Sequence, residues 1–203
     1  MATANINADK QTWADSGSQT SFTAARNATS STTHVNYTNS QFNRSDAIQE
    51  VYSSGRGGGV WRFARSFFFF DTSSISGTIT AIDLKIYGYL FAGNRVRIAK
   101  STAFGTSGGS AYANSDFNNW TTLGFGGAPI PYSTDFTWTA GATNTIALNA
   151  DAISNANSNN YINLVAVGQI NDYTGNAPFF DVVMNSGIQF ASTTEFPKLA
   201  ITY

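Results

Sequence analysis

The stretch "RSFFFFDTSSISGTITAIDLKIYGY", from Arg65 to Tyr89, constrains the fold more than any other part of the chain. Successive side chains of a strand point to opposite faces. Phe67 and Phe69 therefore face one way, and Phe68 and Phe70 the other. Fully burying one Phe contributes roughly 1.5–3 kcal/mol, so a strand with this run needs cover on both sides. One pair belongs in a core between two sheets. The other pair needs the N-terminal arm, a long loop or another subunit above it. Phe67, Phe68, Phe69 and Phe70 are thus candidate interface residues.

Half-buried antiparallel strands follow. Ile82, Leu84 and Ile86 alternate with Asp83, Lys85 and Tyr87, and Val96 and Ile98 alternate with Arg95 and Arg97, the period-two pattern of such strands. A strand is also expected near Thr33–Tyr37. Further strands are expected at "TIALN" (145–149), "YINLVAVGQI" (161–170), "APFFDVVMN" (177–185), "GIQFAS" (187–192) and "PKLAITY" (197–203). A glycine loop, "SSGRGGG", precedes the Phe strand. Helical turns are expected at "SDAIQEVY", capped by Ser45 with Ala47, Ile48 and Val51 on one face, and at 150–158. Residues 101–144 form a long polar excursion carrying Phe104, Tyr112, Phe117, Trp120, Phe125, Tyr132, Phe136 and Trp138. A loop of this length folds on itself or serves a contact, and its aromatics favour packing down. The expected fold is all-β: an antiparallel jelly-roll β-sandwich over 56–203, with an extended, loop-rich N-terminal arm or first strands over 1–55.

Composition narrows the function classes. The chain has 203 residues and no Cys, which removes disulfides, thiolate metal sites and a cysteine nucleophile. Only 11% of residues are charged and the net charge is −1, so nothing global calls for nucleic acid or an anionic membrane. Residues 1–100 carry 10 Lys/Arg against 6 acids, and residues 101–203 carry 1 against 6. This asymmetry suits a head-to-tail contact between copies as well as mere strand placement. "MATANINADKQTWADSG" has neither the basic start nor the apolar run of a secretory signal. The expectation is synthesis in a host cytoplasm without export.

Chemistry is sparse. The one histidine, His34, sits in a Thr-rich stretch and cannot build a histidine metal cluster. Asp71, Asp83, Asp181 and Glu195 are the carboxylates that a glycosidase pair would draw on. Asp71 stands at a strand-to-turn junction, where an Asp side chain bonds nearby backbone N–H groups. Dispersed acids and carbonyls leave room for a structural Ca²⁺, without EF-hand spacing; no other cofactor is expected. Trp13, Trp61, Trp120 and Trp138 are candidates for stacking on sugar rings, against the plainer alternative of core packing.

The Phe strand and its sequel resemble the signature of DNRLRE-type β-sandwich domains, relatives of carbohydrate-binding-module-like jelly rolls. Arg65, Phe70, Asp71, Ser73, Ser74 and Ile75 fill the first half of that pattern, and Ile79, Ile82, Leu84, Ile86 and Tyr87 the second. The close, "FASTTEFPKLAITY", is similar too, with Phe190, Ser192, Glu195, Pro197, Leu199, Ile201 and Tyr203 in place. The resemblance covers about residues 60–203; the first 60 do not match. It implies a binding or structural module and not a catalyst, of a kind found in secreted bacterial proteins and tailed-phage virions. The expected function is a non-enzymatic phage virion protein at the virion surface: a capsid decoration or head/tail fibre component. It would contact capsid or tail subunits and form a homo-oligomer, with no nucleic acid or membrane partner. The alternative is a carbohydrate-binding module or host-surface adhesin that binds a glycan.

Overall fold

The computed structural model describes residues 1–37, 42–53, 59–105, 107–177, 182–191 and 196–203. In chain order the strands are β1 (Thr3–Asn7), β2 (Lys10–Asp15), β3 (Thr33–Tyr37), β4 (Phe42–Ser53), β5 (Val60–Asp71) and β6 (Ala81–Tyr87). They continue as β7 (Arg95–Lys100), β8 (Phe136–Thr137), β9 (Thr143–Ala147), β10 (Tyr161–Gly168), β11 (Val182–Ala191) and β12 (Lys198–Thr202). Two helices, α1 (Phe22–Arg26) and α2 (Ala150–Asn159), join them. All pairings are antiparallel, and the fold is an all-β sandwich. The smaller sheet has the order β1-β12-β6-β9; the larger runs β11-β4-β5-β10-β7-β8, with β2 and β3 branching from β5.

β5 is the centre of the larger sheet. β10 pairs with one of its edges along Ser66–Asp71. The other edge is shared: β4 pairs with Val60–Ala64 and β2 with Ala64–Phe69. The alternation of β5 then sorts the four phenylalanines. Phe68 and Phe70 enter the core between the sheets, among Ile82, Leu84 and Ile86 of β6 and Leu199 and Ile201 of β12. Phe67 and Phe69 enter a second core with Phe104, Tyr112, Phe117 and Trp120 of the long excursion and Ala25 of α1. The molecule therefore has three layers: the small sheet, the large sheet and a cap of folded loops.

The cap lies close. Gly108 adopts φ +67, and a Cβ there would collide with the Phe69 ring. Lys10 Nζ donates to the carbonyls of Gly108 and Ser110, the latter at 2.7 Å, and so ties the loop to β2. Residues 1–37 are built into this chain's own sheets: β1 pairs with β12, and β2 lies between β3 and β5.

Two local expectations are corrected. "SDAIQEVY" is no helical turn but part of β4. There β11 pairs with Ile48–Tyr52 and β5 with Gln49–Tyr52, and tertiary pairing overrides the local helix pattern. Residues 182–191 form one strand through Gly187, with a register shift there, and not two strands. The expected helical turn at 150–158 is α2, capped by Asn149, whose side chain accepts from Ala152 N. Residues 54–58 of the glycine loop, Asp181, Ser192, Glu195 and the side chains of Phe125 and Phe190 lie outside the described residues.

Both faces of β5 are closed within one chain, so Phe67→Ala and Phe68→Ala should each cost about 3–5 kcal/mol, the usual loss for emptying a buried Phe site. Urea denaturation of the purified protein checks this. An unchanged Phe67→Ala midpoint would mean that the cap does not bury the outer pair.

Candidate functional site

Phe67, Phe68 and Phe70 are fully buried and Phe69 retains 5% exposure. These four side chains are thus not available as an interface, because the 101–144 excursion already occupies the face left open for a neighbour. Trp13, Trp120 and Trp138 are also buried, at 2% exposure or less, and cannot offer a face to a sugar ring. Trp61 is half-buried. Tyr52 stacks on it at 3.9 Å between centroids, and Phe22 meets it edge-on at 5.3 Å. The four tryptophans are dispersed and form no stacking row.

Of the candidate acids, Asp71 and Asp83 are described, and they lie in different sheets. Asp71 Oδ1 accepts from Ser73 N at 2.8 Å, closing the turn after β5. Hydrogen bonds from Ser73 hold its carboxyl below the ordinary value. Asp83 lies mid-strand in β6, opposite Ala147 and Ala200. His34 Nδ1 stands 2.6 Å from Asn114 Oδ1, a contact between β3 and the cap. Among the described residues no group of three His, Cys, Asp or Glu side chains is placed to hold a metal ion. No helix there is long and apolar enough to cross a membrane.

A buried ionic cluster holds the cap. Arg65, between Phe63 and Phe67 on the outer face, is fully buried with Asp172. Its Nε and Nη2 donate to the two carboxylate oxygens at 2.8 and 2.7 Å, the bidentate geometry that makes Arg–carboxylate pairs strong. Nη1 donates to Phe117 O and Nη2 to Arg26 O. The guanidinium also lies 4.1 Å from the Phe117 ring centroid and 5.0 Å from that of Trp120. One side chain of β5 thus fixes the 105–120 loop, the end of α1 and the turn after β10.

Glu50 of β4 supports that turn from beneath. Its carboxylate accepts from Asn171 N, Asn171 Nδ2 and Asp172 N. A Cβ on Gly168 would collide with it, which explains a glycine at the end of β10. Burial pushes the Glu50 carboxyl up to about 7, with the Asp172 charge adding to the effect and the hydrogen bonds opposing it. Nothing in the sequence announces these partners, which stand far apart along the chain. Arg65 alone was visible, as part of the strand motif.

Two features of the described surface bear on binding. The first is a knuckle between β6 and β7. Tyr89, Leu90 and Phe91 are 38%, 40% and 49% exposed, and Phe91 has φ +59. A bulky residue in the left-handed region is an outlier. The backbone around it is held from several sides. Tyr89 N donates to Gly187 O and Gly187 N to Leu90 O, each at 2.9 Å. Gly93 N donates to Trp138 O and Trp138 N to Asn94 O, each at 2.7 Å. Asn94 Nδ2 bonds Asn185 O. In the sequence the run "YGYLFAGN" (87–94) lies between the two alternating strand patterns, and nothing local shows that its apolar residues stay exposed.

The second is a cavity of about 250 Å³ where the cap meets β2 and β3. Phe104, Ala111, Tyr112 and Tyr37 supply apolar walls; Asp9, Lys10, Thr12 and Asn36 supply polar ones. Thr12 Oγ1 bonds Asn36 Oδ1. Asp9 Oδ2 accepts from Asp71 N at 2.7 Å. The cavity stands at the Phe69 end of β5, because Lys10 pairs with Phe69.

No protein-family model matches the chain, and no curated protein does either.

The buried Glu50 gives a pH prediction with a definite sign. Its folded value exceeds the ordinary 4.5, so folding takes up a proton between the two values. Its contribution to stability therefore falls as pH rises through about 7 and is restored as pH drops towards 4.5. The Glu50 carboxyl-carbon resonance should titrate near neutrality, which NMR reads directly. Titration at an ordinary glutamate value would overturn the assignment.

Proposed function

We propose that this chain is a non-enzymatic structural protein of a tailed-phage virion, displayed at the virion surface as a capsid decoration or head/tail fibre component. It works through contacts between subunits. The observation that carries this reading is the knuckle: three consecutive large apolar side chains stand in solvent on a backbone clamped by its neighbours. A rigid loop with a strained Phe at its tip suits a docking element, since local strain of this kind concentrates at functional sites. The resemblance to virion β-sandwich modules and the low charge, 11% of residues, agree with it. Capsid or tail subunits, or further copies of the chain, are the partners this reading requires.

A second reading, a glycan-binding module or adhesin, is favoured by the cavity. Its mix of hydrogen-bond donors and acceptors, with the charges of Asp9 and Lys10 in balance, suits a neutral polyhydroxyl ligand.

Phe91→Gly separates docking from folding. Glycine adopts a left-handed φ freely, whereas an L-residue there costs roughly 1–2 kcal/mol. The variant should keep or raise its thermal midpoint and lose co-sedimentation with phage particles. If the wild-type chain neither co-sediments with particles nor self-associates, the structural reading fails.

A further inference from the structure

We propose that the groove between α2 and the end of β7 is a binding site for neutral sugar residues. The groove has a volume of about 550 Å³, inside the range of roughly 300–1,000 Å³ usual for small-molecule sites. It shares no lining residue with the cap cavity, and the inference depends on neither reading above.

The fold fixes the walls. Segment 130–132 runs beside the end of β7: Lys100 N donates to Ile130 O and Tyr132 N to Ile98 O, each at 2.9 Å. The cap of α2 is tied to the same segment, where Asn149 N donates to Tyr132 O and Asn149 Nδ2 to Pro131 O, each at 2.8 Å. Ala152 and Ala156 bury one side of the helix in the core between the sheets. Asp151, Ser154, Asn155 and Ser158 have the i, i+3, i+4, i+7 spacing of a single helical stripe, and that stripe lines the groove.

Its polar groups lack partners among the described residues. Tyr132 lines the groove and is only 1% exposed, yet its hydroxyl bonds none of them. A buried hydroxyl left in that state is costly. Burial pushes the Tyr132 phenol up, with the charges of Asp151 and Tyr161 adding to the effect, so the hydroxyl keeps its proton to donate. Lys100 is half-buried and makes no ion pair, although Asp151 lines the same groove. The hydroxyls of Ser154 and Ser158 are equally free. Asn155 Oδ1 accepts from Asn159 Nδ2 at 3.1 Å, which leaves the Asn155 amide N–H groups to donate.

These groups specify the ligand. An ammonium only donates and a carboxylate only accepts, while a hydroxyl does both. A polyhydroxyl ligand therefore answers Lys100 with one hydroxyl and Asp151 with another, and has further hydroxyls for Tyr132, Ser154 and Ser158. The two charges balance, so a neutral ligand suits them; an anion drawn to Lys100 would meet the Asp151 carboxylate. Leu123 and Ile130, both half-buried in the wall, offer apolar contact to the C–H groups of a sugar ring. A few placed polar groups beside apolar side chains are the usual make-up of such a site.

The test is an NMR titration of the full chain with methyl glycosides and tetrasaccharides of glucose, mannose and galactose, and separately with inorganic phosphate. The amide resonances of Lys100, Ser154, Asn155 and Ser158 should move saturably with at least one of the sugars. Lys100→Met and Asp151→Asn should each weaken that sugar about tenfold or more, the worth of a hydrogen bond to a charged group, while circular dichroism and the thermal midpoint stay in place. No movement with any of these sugars overturns the proposal, as do shifts at the groove that are indifferent to both substitutions. Phosphate that moves the same resonances and binds more tightly to Asp151→Asn makes the groove an anion site, which also overturns it. Sugar shifts confined to Ala111 and Tyr112 overturn it as well, and leave the glycan reading of the cap cavity standing.

Discussion

A strand that is apolar on both faces cannot stand at the surface of a two-layer protein. β5 is such a strand, and the rest of the molecule is arranged around that fact. Its inner phenylalanines fasten the small sheet; its outer ones require a third layer. That layer is made of irregular chain, whose backbone polar groups need partners wherever they are buried. Arg65 meets much of this need. It stands among the outer phenylalanines and bonds the carbonyls of Arg26 and Phe117 and the Asp172 carboxylate. A charge so fully enclosed costs several kcal/mol to desolvate, and it is tolerated because its bonds and two aromatic faces surround it. The cap is thus fixed to the sheet by one polar anchor within an apolar contact.

This anchoring accounts for where the surface features sit. The loop past Phe104 is held by Lys10 on one side and by Arg65 beneath, which leaves a recess against β2 and β3. The knuckle is held by β11 and by the segment before β9. Each is made of loop, yet each is tied to strands by several hydrogen bonds, so both present fixed shapes.

Much of the fold was legible in the sequence because period-two patterning is local. Ile82, Leu84 and Ile86 announce their face, and the Phe run announces two. The packing-down of the excursion was legible as well, since so many aromatics in one polar stretch leave little else. Partner choice was not legible. Nothing near Phe67 says whether its cover is Trp120 of the same chain or a neighbour, because burial depends on residues far away in sequence. The "SDAIQEVY" segment misleads for the same reason: its helical spacing is real, but strand partners, on both edges from Gln49 on, outweigh it. The tryptophans mislead through ambiguity, as exposed platforms and core residues have the same local appearance. The knuckle was written plainly as three apolar residues before Gly93, and only its exposure was hidden.

The two-sided covering of β5 also bears on how the chain reaches its native state. β2 precedes β5 and can pair with it early. The cap residues Phe104–Trp120 follow later, and β10, which pairs Val165 with Phe67, follows later still. Contacts of such long sequence separation form slowly. A chain emerging from the ribosome therefore carries an uncapped aromatic ridge with an unpaired edge for the time needed to synthesise the second half, which is the species most prone to aggregation. Folding yield is accordingly set by how fast the second half is made and docked, and the growing chain is the stage at which a chaperone has most to protect.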